Sequence, residues 1–304
     1  MRQSRKERLI VILTILPSVA AIILFVYGFI AWSVAVSLSN WKGILPDYSI
    51  ASPLFKNFIS IFKSQRFTID IFNNIFFSVF FLALCVGGGL LLATLLDKSL
   101  KGEGVFRTVY LLPLAISFVV TGVVWKWIFA PSTGVNLLLT GLLSKIGIEH
   151  TVNFGWYTST ASIGPFNIAL LPVIIAASWR YIGYVMAMYL AALRGIPAEL
   201  KEAARVDGAS EFTIYRRIIL PLLKPITLSA LIILGHISLK MFDLFYVMTG
   251  SGSGFVTDVP SIYMYETTFR ASEYGRGAAI SLVMLVMVAV VIIPYITISL
   301  RKET

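Results

Sequence analysis

The sequence predicts an all-α integral membrane protein with about six transmembrane helices, and three observations predict it. The chain of 304 residues is 58% hydrophobic and only 13% charged, about half the charged fraction of a soluble globule. Its mean hydropathy is +0.86. Six apolar stretches, near 9–38, 71–97, 106–130, 168–194, 222–249 and 278–300, each reach the roughly 20 residues that a hydrocarbon core asks of a helix. Lipid offers backbone N–H and C=O groups no partner, so such segments must be helical. The period-two alternation of a membrane barrel is absent.

The first span follows a basic start, Arg2, Arg5, Lys6 and Arg8. Its apolar run of about 30 residues is far longer than the 7–15 of a signal-peptide core, so it reads as an uncleaved span. Lys and Arg placement sets the orientation. With the N-terminus inside, fifteen of the 25 cations face the cytoplasm, seven face outward and three (Lys126, Arg180 and Lys240) fall within spans. Both termini are therefore expected in the cytoplasm. The net charge of +10 is a topology signal and gives no reason to invoke nucleic acid. A multi-pass protein of the cell's inner membrane is the expectation.

The outer connections are 39–70, 131–167 and 250–277. In the first, residues 55–67 interleave basic residues with Phe and Ile. They suit a helix on the membrane surface or one packed on the outer ends of the spans. Asn73 and Asn74 open the second span and read as helix caps. Gly87, Gly88 and Gly89 put small residues mid-span, which lets another helix approach closely. The lone Cys85 excludes an internal disulfide and a Cys-based metal site and suits small apolar packing. Gly102 and Gly104 supply turn chemistry in the 97–107 loop.

Ionisable groups inside spans are functional candidates by default. Lys126, between Trp125 and Trp127, can snorkel to the interface. Arg180 lies deeper, roughly 25 Å of helix before Pro197. Lys240 and Asp243 are three apart on the fifth span and suit mutual pairing. Ser238 lies deeper and can line a path. His150 and His236 are isolated and offer no metal spacing. No constellation for catalysis is present, and no cofactor is implied.

The most informative stretch is polar: IPAELKEAARVDGASEFTIYRRIILPLLKP, residues 196–225. Pro197 suits a first helical position and AELKEAARV is rich in helix formers. Gly208 suits the left-handed position that ends a helix. Ser210 can cap the next helix, with Glu211 complementing its dipole. Pro221 and Pro225 fit an elbow back into lipid. The expected object is two short helices at an angle about a fixed turn at Asp207–Gly208. It is either a docking element or an ordinary surface hairpin.

EAARVDGAS at 202–210, followed by Ile218 and Leu220–Pro221, resembles the EAA loop of ABC importer permeases. Residues 102–139, LAALRGIPAEL at 190–200 and FDLFYVMTGSGSG at 242–254 resemble the carbohydrate-type permeases related to the maltose transporter. VTDVP at 256–260 and GRGAAISL at 275–282 look closest to glucose/mannose-type members. The resemblance implies the type I importer permease fold, with residues 1–304 as one transmembrane domain carrying a coupling loop at 196–221. It implies a sugar carried by ATP-driven alternating access, and four kinds of partner. These are a second homologous permease, a cytoplasmic ABC ATPase dimer, an exterior substrate-binding protein and the lipid bilayer. Carried over, Glu202 faces a basic residue of the ATPase, Ala203 and Ala204 allow close approach, and Asp207–Gly208 hold the turn. SWRYIGY at 178–184 matches the sugar-contacting stretch by its spacing to the loop, which makes Trp179, Arg180 and Tyr184 pathway candidates beside Ser238. Arg180 departs from a position that is usually apolar. The pattern G-x-x-x-x-G-K-[ST] is absent, so ATP hydrolysis is assigned to a partner. The alternatives are a permease for a non-sugar or anionic solute and, from another class, a stand-alone secondary transporter.

Overall fold

The computed structural model describes residues 5–97, 102–148, 151–164 and 166–300. Arg2, Lys98, Lys101, Arg301 and Lys302 of the orientation count, and His150, lie outside them. Among the described residues, four helices are long and apolar enough to cross a membrane, or up to six if each of two bent pairs is one span. The contacts gather into two compact units, Met1–Ser64 with Tyr263–Leu285 and Gln65–Ile262 with Val286–Thr304.

In the first unit, α1 (Arg5–Ile22) passes through a π turn into α2 (Gly28–Ser37). The 55–67 stretch becomes α3 (Lys56–Phe62), which buries Ile61. The Asn57 amide donates to the carbonyls of Ser37 and Ser39, at 2.8 and 2.9 Å, and so ties α3 to the end of α2. Trp41 stacks near Tyr274, ring centres 4.7 Å apart.

The second unit is built on α4 (Gln65–Leu96). Phe77, Phe81, Cys85, Gly89 and Ala93, four apart in sequence, are buried along it. This is the i, i+4 stripe of a packed helix. After α5 (Glu103–Ala115), α6 (Phe118–Ile128) and α7 (Gly134–Lys145), a small hairpin of β1 (Ser162–Ile163) and β2 (Phe166–Asn167) leads into α8 (Leu171–Arg194). The glycines of α4 seat α8 as their size predicts. A Cβ at Gly89 would stand 2.7 Å from Val185 Cγ1 and 2.9 Å from the Met186 nitrogen. Gly183 of α8 is equally committed, because its Cβ would collide with the Tyr110 carbonyl of α5. Without a hydrophobic drive between helices in lipid, such backbone approach is what holds spans together.

The structure corrects three readings. The third stretch, 106–130, is not one helix. Ile116 and Ser117 are extended, the Ser117 hydroxyl accepts from the Val120 N–H at 3.2 Å, and the chain turns by 101° between α5 and α6. Asn73 and Asn74 do not cap α4; they lie inside it and are buried. The Asn73 amide donates to the carbonyls of Phe255, Val256 and Asp258, and its oxygen accepts from Asn167. One side chain thus clamps a loop about 180 residues away. Lys240 and Asp243 do not pair. The helix ends at Leu239 and restarts at Asp243, so the shared face that i, i+3 spacing assumes is lost.

Asn73→Ala would leave the buried Val256 and Asp258 carbonyls and the Asn167 amide short of a partner, a loss of about 1–3 kcal/mol per unsatisfied group. A clear fall in the melting temperature of the purified protein is expected. An unchanged melt would remove Asn73 from the list of structural clamps.

Candidate functional site

Two constellations carry the candidate residues. The first is the polar knob. It begins with α9 (Ala198–Val206); Pro197 sits just before it with extended backbone, as an N-cap. The helix ends as its glycine predicts. Gly208 has φ +80, its N–H donates to the Arg205 carbonyl, and the Ala209 N–H donates to the Ala204 carbonyl. These paired bonds are the Schellman closure, and a left-handed residue there suits only glycine without strain.

Ser210 then caps α10 (Glu211–Ile214), its hydroxyl accepting from the Thr213 N–H at 3.3 Å. Across the turn, Arg205 Nε and Nη2 reach the two Glu211 carboxylate oxygens at 2.6 and 3.3 Å. Arg205 is pushed above its ordinary pKa, chiefly by that hydrogen bond. A two-point bridge between consecutive helices fixes their angle more firmly than a single contact.

From α10 the chain runs through a π turn at Tyr215–Ile219 to α11 (Leu220–Leu222). It bends by 59° and enters α12 (Lys224–Leu239). Pro221 and Pro225 flank the bend, as the sequence indicates. The base of the knob is tied down. Thr94 and Tyr215 share a 2.8 Å hydrogen bond, Lys201 lies 3.6 Å from Asp97, and Arg194 lies 2.7 Å from Glu103.

The structure brings Glu202, Ala203, Ala204, Asp207 and Gly208 onto this one knob. Ala204 is buried and forms its inner side, whereas Glu202, Ala203, Asp207 and Gly208 are exposed. Two residues that motif reasoning passed over stand out there. Val206 is 87% and Phe212 72% exposed, flanking the turn on either side. Apolar side chains in a polar loop, spaced around a glycine turn, were the signal available for finding them.

The second constellation lies on α8. Trp179 is exposed and meets Trp125 of α6 edge to face, ring centres 5.8 Å apart. Trp125 in turn stacks on Phe129, and Phe129 meets Trp156. Trp125 thus belongs to an aromatic track as well as to the end of a span. The Arg180 guanidinium sits 4.1 Å over the Phe118 ring, within cation–π range. Its Nε and Nη1 are buried without a hydrogen-bond partner. Arg180, Tyr184, Ala187 and Ala191 share one side of α8 by helical spacing.

Ser238 stands elsewhere. With Ser78, Leu231 and Pro294 it lines a cavity of about 380 Å³ to which Trp179, Arg180 and Tyr184 do not contribute. Its hydroxyl donates to the Gly235 carbonyl at 2.9 Å. Nearby, Ser78 Oγ and Asn74 Oδ1 are buried without partners, and Asp70 is buried one turn further along α4. Asp243 is exposed, whereas Asp70 occupies the interior. Among the described residues no group of His, Cys, Asp or Glu could hold a metal ion.

Residues 85–300 match the family model of the binding-protein-dependent transport system inner membrane component. A probable ABC transporter permease protein of Pyrococcus horikoshii is 37% identical over 96% of this chain and 96% of that protein. A xylose/arabinose import permease protein of Haloferax volcanii is 36% identical over 89% of this chain and 82% of that one. In fold, the chain is similar to the solved structure of a bacterial ABC transporter involved in import of the acidic polysaccharide alginate. That match has a TM-score of 0.74 at 24% identity over 94% of each chain.

Proposed function

Because the chain belongs to the family of binding-protein-dependent transport system inner membrane components, we propose that it is one permease subunit of an ABC importer for a sugar. Both termini lie in the cytoplasm, and the whole chain works as one transmembrane domain. A second homologous permease completes the pathway, a cytoplasmic ATPase dimer hydrolyses ATP, and an exterior binding protein delivers the sugar. The observation that carries this reading is the knob at 196–221: a glycine-closed, Arg205–Glu211-braced pair of helices continuous with α8 and α12.

A braced knob transmits displacement as a rigid body. When the ATPase pair closes, the knob moves with it, and the spans on either side exchange an inward-facing for an outward-facing arrangement. Glu202 offers a carboxylate to a basic partner residue, Ala203 lets backbones approach, Phe212 supplies an aromatic anchor, and Val206 adds exposed apolar surface beside it. Asp207 and Gly208 hold the turn.

A sugar is favoured by the aromatic track. Trp179 and Trp125 present ring faces for the C–H side of a pyranose, while Tyr184 supplies a phenol for its hydroxyls. Ser238 and Ser78 line a separate hydroxyl-bearing stretch of the route. The xylose/arabinose permease resemblance points the same way; a glucose/mannose-type cargo is the finer form of this reading. Trp179→Ala is expected to raise the KM for uptake several-fold with assembly unchanged. Unaltered uptake kinetics would return Trp179 to helix packing.

Arg180 favours a second reading, an acidic sugar. A guanidinium with two buried N–H groups lacking partners is costly in a span unless an anion meets it. Arg180→Gln would then abolish uptake of an acidic sugar and spare a neutral one.

A further inference from the structure

We propose that the first compact unit holds a site for one anionic phospholipid, with an acyl chain in an apolar slot and the headgroup in an adjoining basic cavity. The slot has a volume of about 380 Å³, within the roughly 300–1,000 Å³ range of small-ligand sites. Trp32, Trp41, Phe269 and Tyr274 wall it, with Gly277 and Ala278 also lining it. The neighbouring cavity, about 220 Å³, is lined by Lys42, Lys56, Glu273 and Arg276. Trp41 lines both.

The charges do not balance. Glu273 accepts from Lys42 at 2.7 Å and from Arg276 at 3.4 Å, so two cations share one carboxylate. Lys56 makes no ion pair among the described residues and is exposed. Three cations against one anion leave the cavity with an excess of two positive charges, which suits a phosphate diester. At the junction, Trp41 Nε1 is buried with no hydrogen-bond partner. A buried indole N–H ordinarily finds an acceptor, and the ester carbonyl between headgroup and chain falls where one is needed.

The position fits as well. The site lies where the span Ile12–Ser37 ends and the span Tyr274–Pro294 begins, the level at which Trp and Tyr mark the membrane interface. Basic pockets between spans bind anionic headgroups by charge. Apolar slot, lone donor and cationic cavity occur in the order in which a phospholipid presents chain, ester and phosphate.

The test is native mass spectrometry of the assembled complex, exchanged into detergent with dioleoyl phosphatidylglycerol or, separately, dioleoyl phosphatidylcholine. The wild type is expected to retain phosphatidylglycerol selectively. Lys56→Gln, a surface change that leaves the fold untouched, should lower that retention roughly five-fold, and Lys56→Arg should restore it. Ala278→Trp fills the slot and should abolish it. Equal phosphatidylglycerol retention by Lys56→Gln and wild type would overturn the site, as would wild-type retention of both lipids alike. A quantitative disulfide from Ser281→Cys to the second permease would also overturn it, by giving the slot a protein occupant.

Discussion

Replacing Gly208 with valine is expected to lower uptake at least ten-fold while the protein still inserts and its spans stay packed. The backbone at this position is left-handed, φ +80. A β-branched side chain is strained there by about 1–3 kcal/mol. Nothing lies within 4 Å of a Cβ built on Gly208, so the penalty is conformational and no clash spreads inward. Relief of that strain breaks the closure in which Gly208 and Ala209 donate to the Arg205 and Ala204 carbonyls and reorients α10 relative to α9. An uncoupled complex should therefore keep its basal ATPase rate and lose the stimulation that accompanies transport. Normal uptake in this variant would show that the turn does not transmit force. Gly208→Asn, which tolerates the left-handed region, should retain most of the activity and so separates backbone geometry from the loss of a glycine as such.

The second large effect is expected at the knob's apolar tips. Val206 and Phe212 are 87% and 72% exposed, and isolated apolar side chains of that size on a charged loop gain most when a partner covers them. Changing both to serine should weaken capture of the ATPase by at least roughly 30-fold, since even one buried anchor contributes about 2 kcal/mol. The fold is expected to be indifferent, because neither side chain packs inside it. Binding of purified ATPase to the permease in nanodiscs reads this directly. Unchanged affinity would mean that the knob docks through its polar side alone.

How much of this was legible depends on the range of the interactions involved. The knob was legible because its signals are local: Gly208 ends one helix, Ser210 caps the next, and Pro221 and Pro225 flank the bend. The close approach of α4 and α8 was legible at Gly88 and Gly89 because only small residues permit it. The turn between α5 and α6 was hidden, since the apolar run continues straight through Ile116 and composition carries no angle. The break after Leu239 was hidden for the same reason, and with it the separation of Lys240 from Asp243. The role of Asn73 could not be read at all. Its partners at 255–258 lie in a distant segment, and an asparagine near the start of an apolar stretch looks like a cap. The contact of Trp125 with Trp179 was hidden too, because it exists only once α6 has turned onto α8. The residues of the EAA-like motif were found by pattern, whereas Val206 and Phe212 needed exposure to be seen.

The central claim is that the 196–221 knob couples a partner's ATP hydrolysis to movement of a sugar through this permease. The most direct measurement is the ATPase rate of the complete complex in proteoliposomes, with its binding protein, across a panel of neutral and acidic sugars, for wild type and Gly208→Val side by side. The account predicts stimulation by one sugar in the wild type and none in the variant, at equal basal rates. Equal sugar stimulation in both proteins would contradict it.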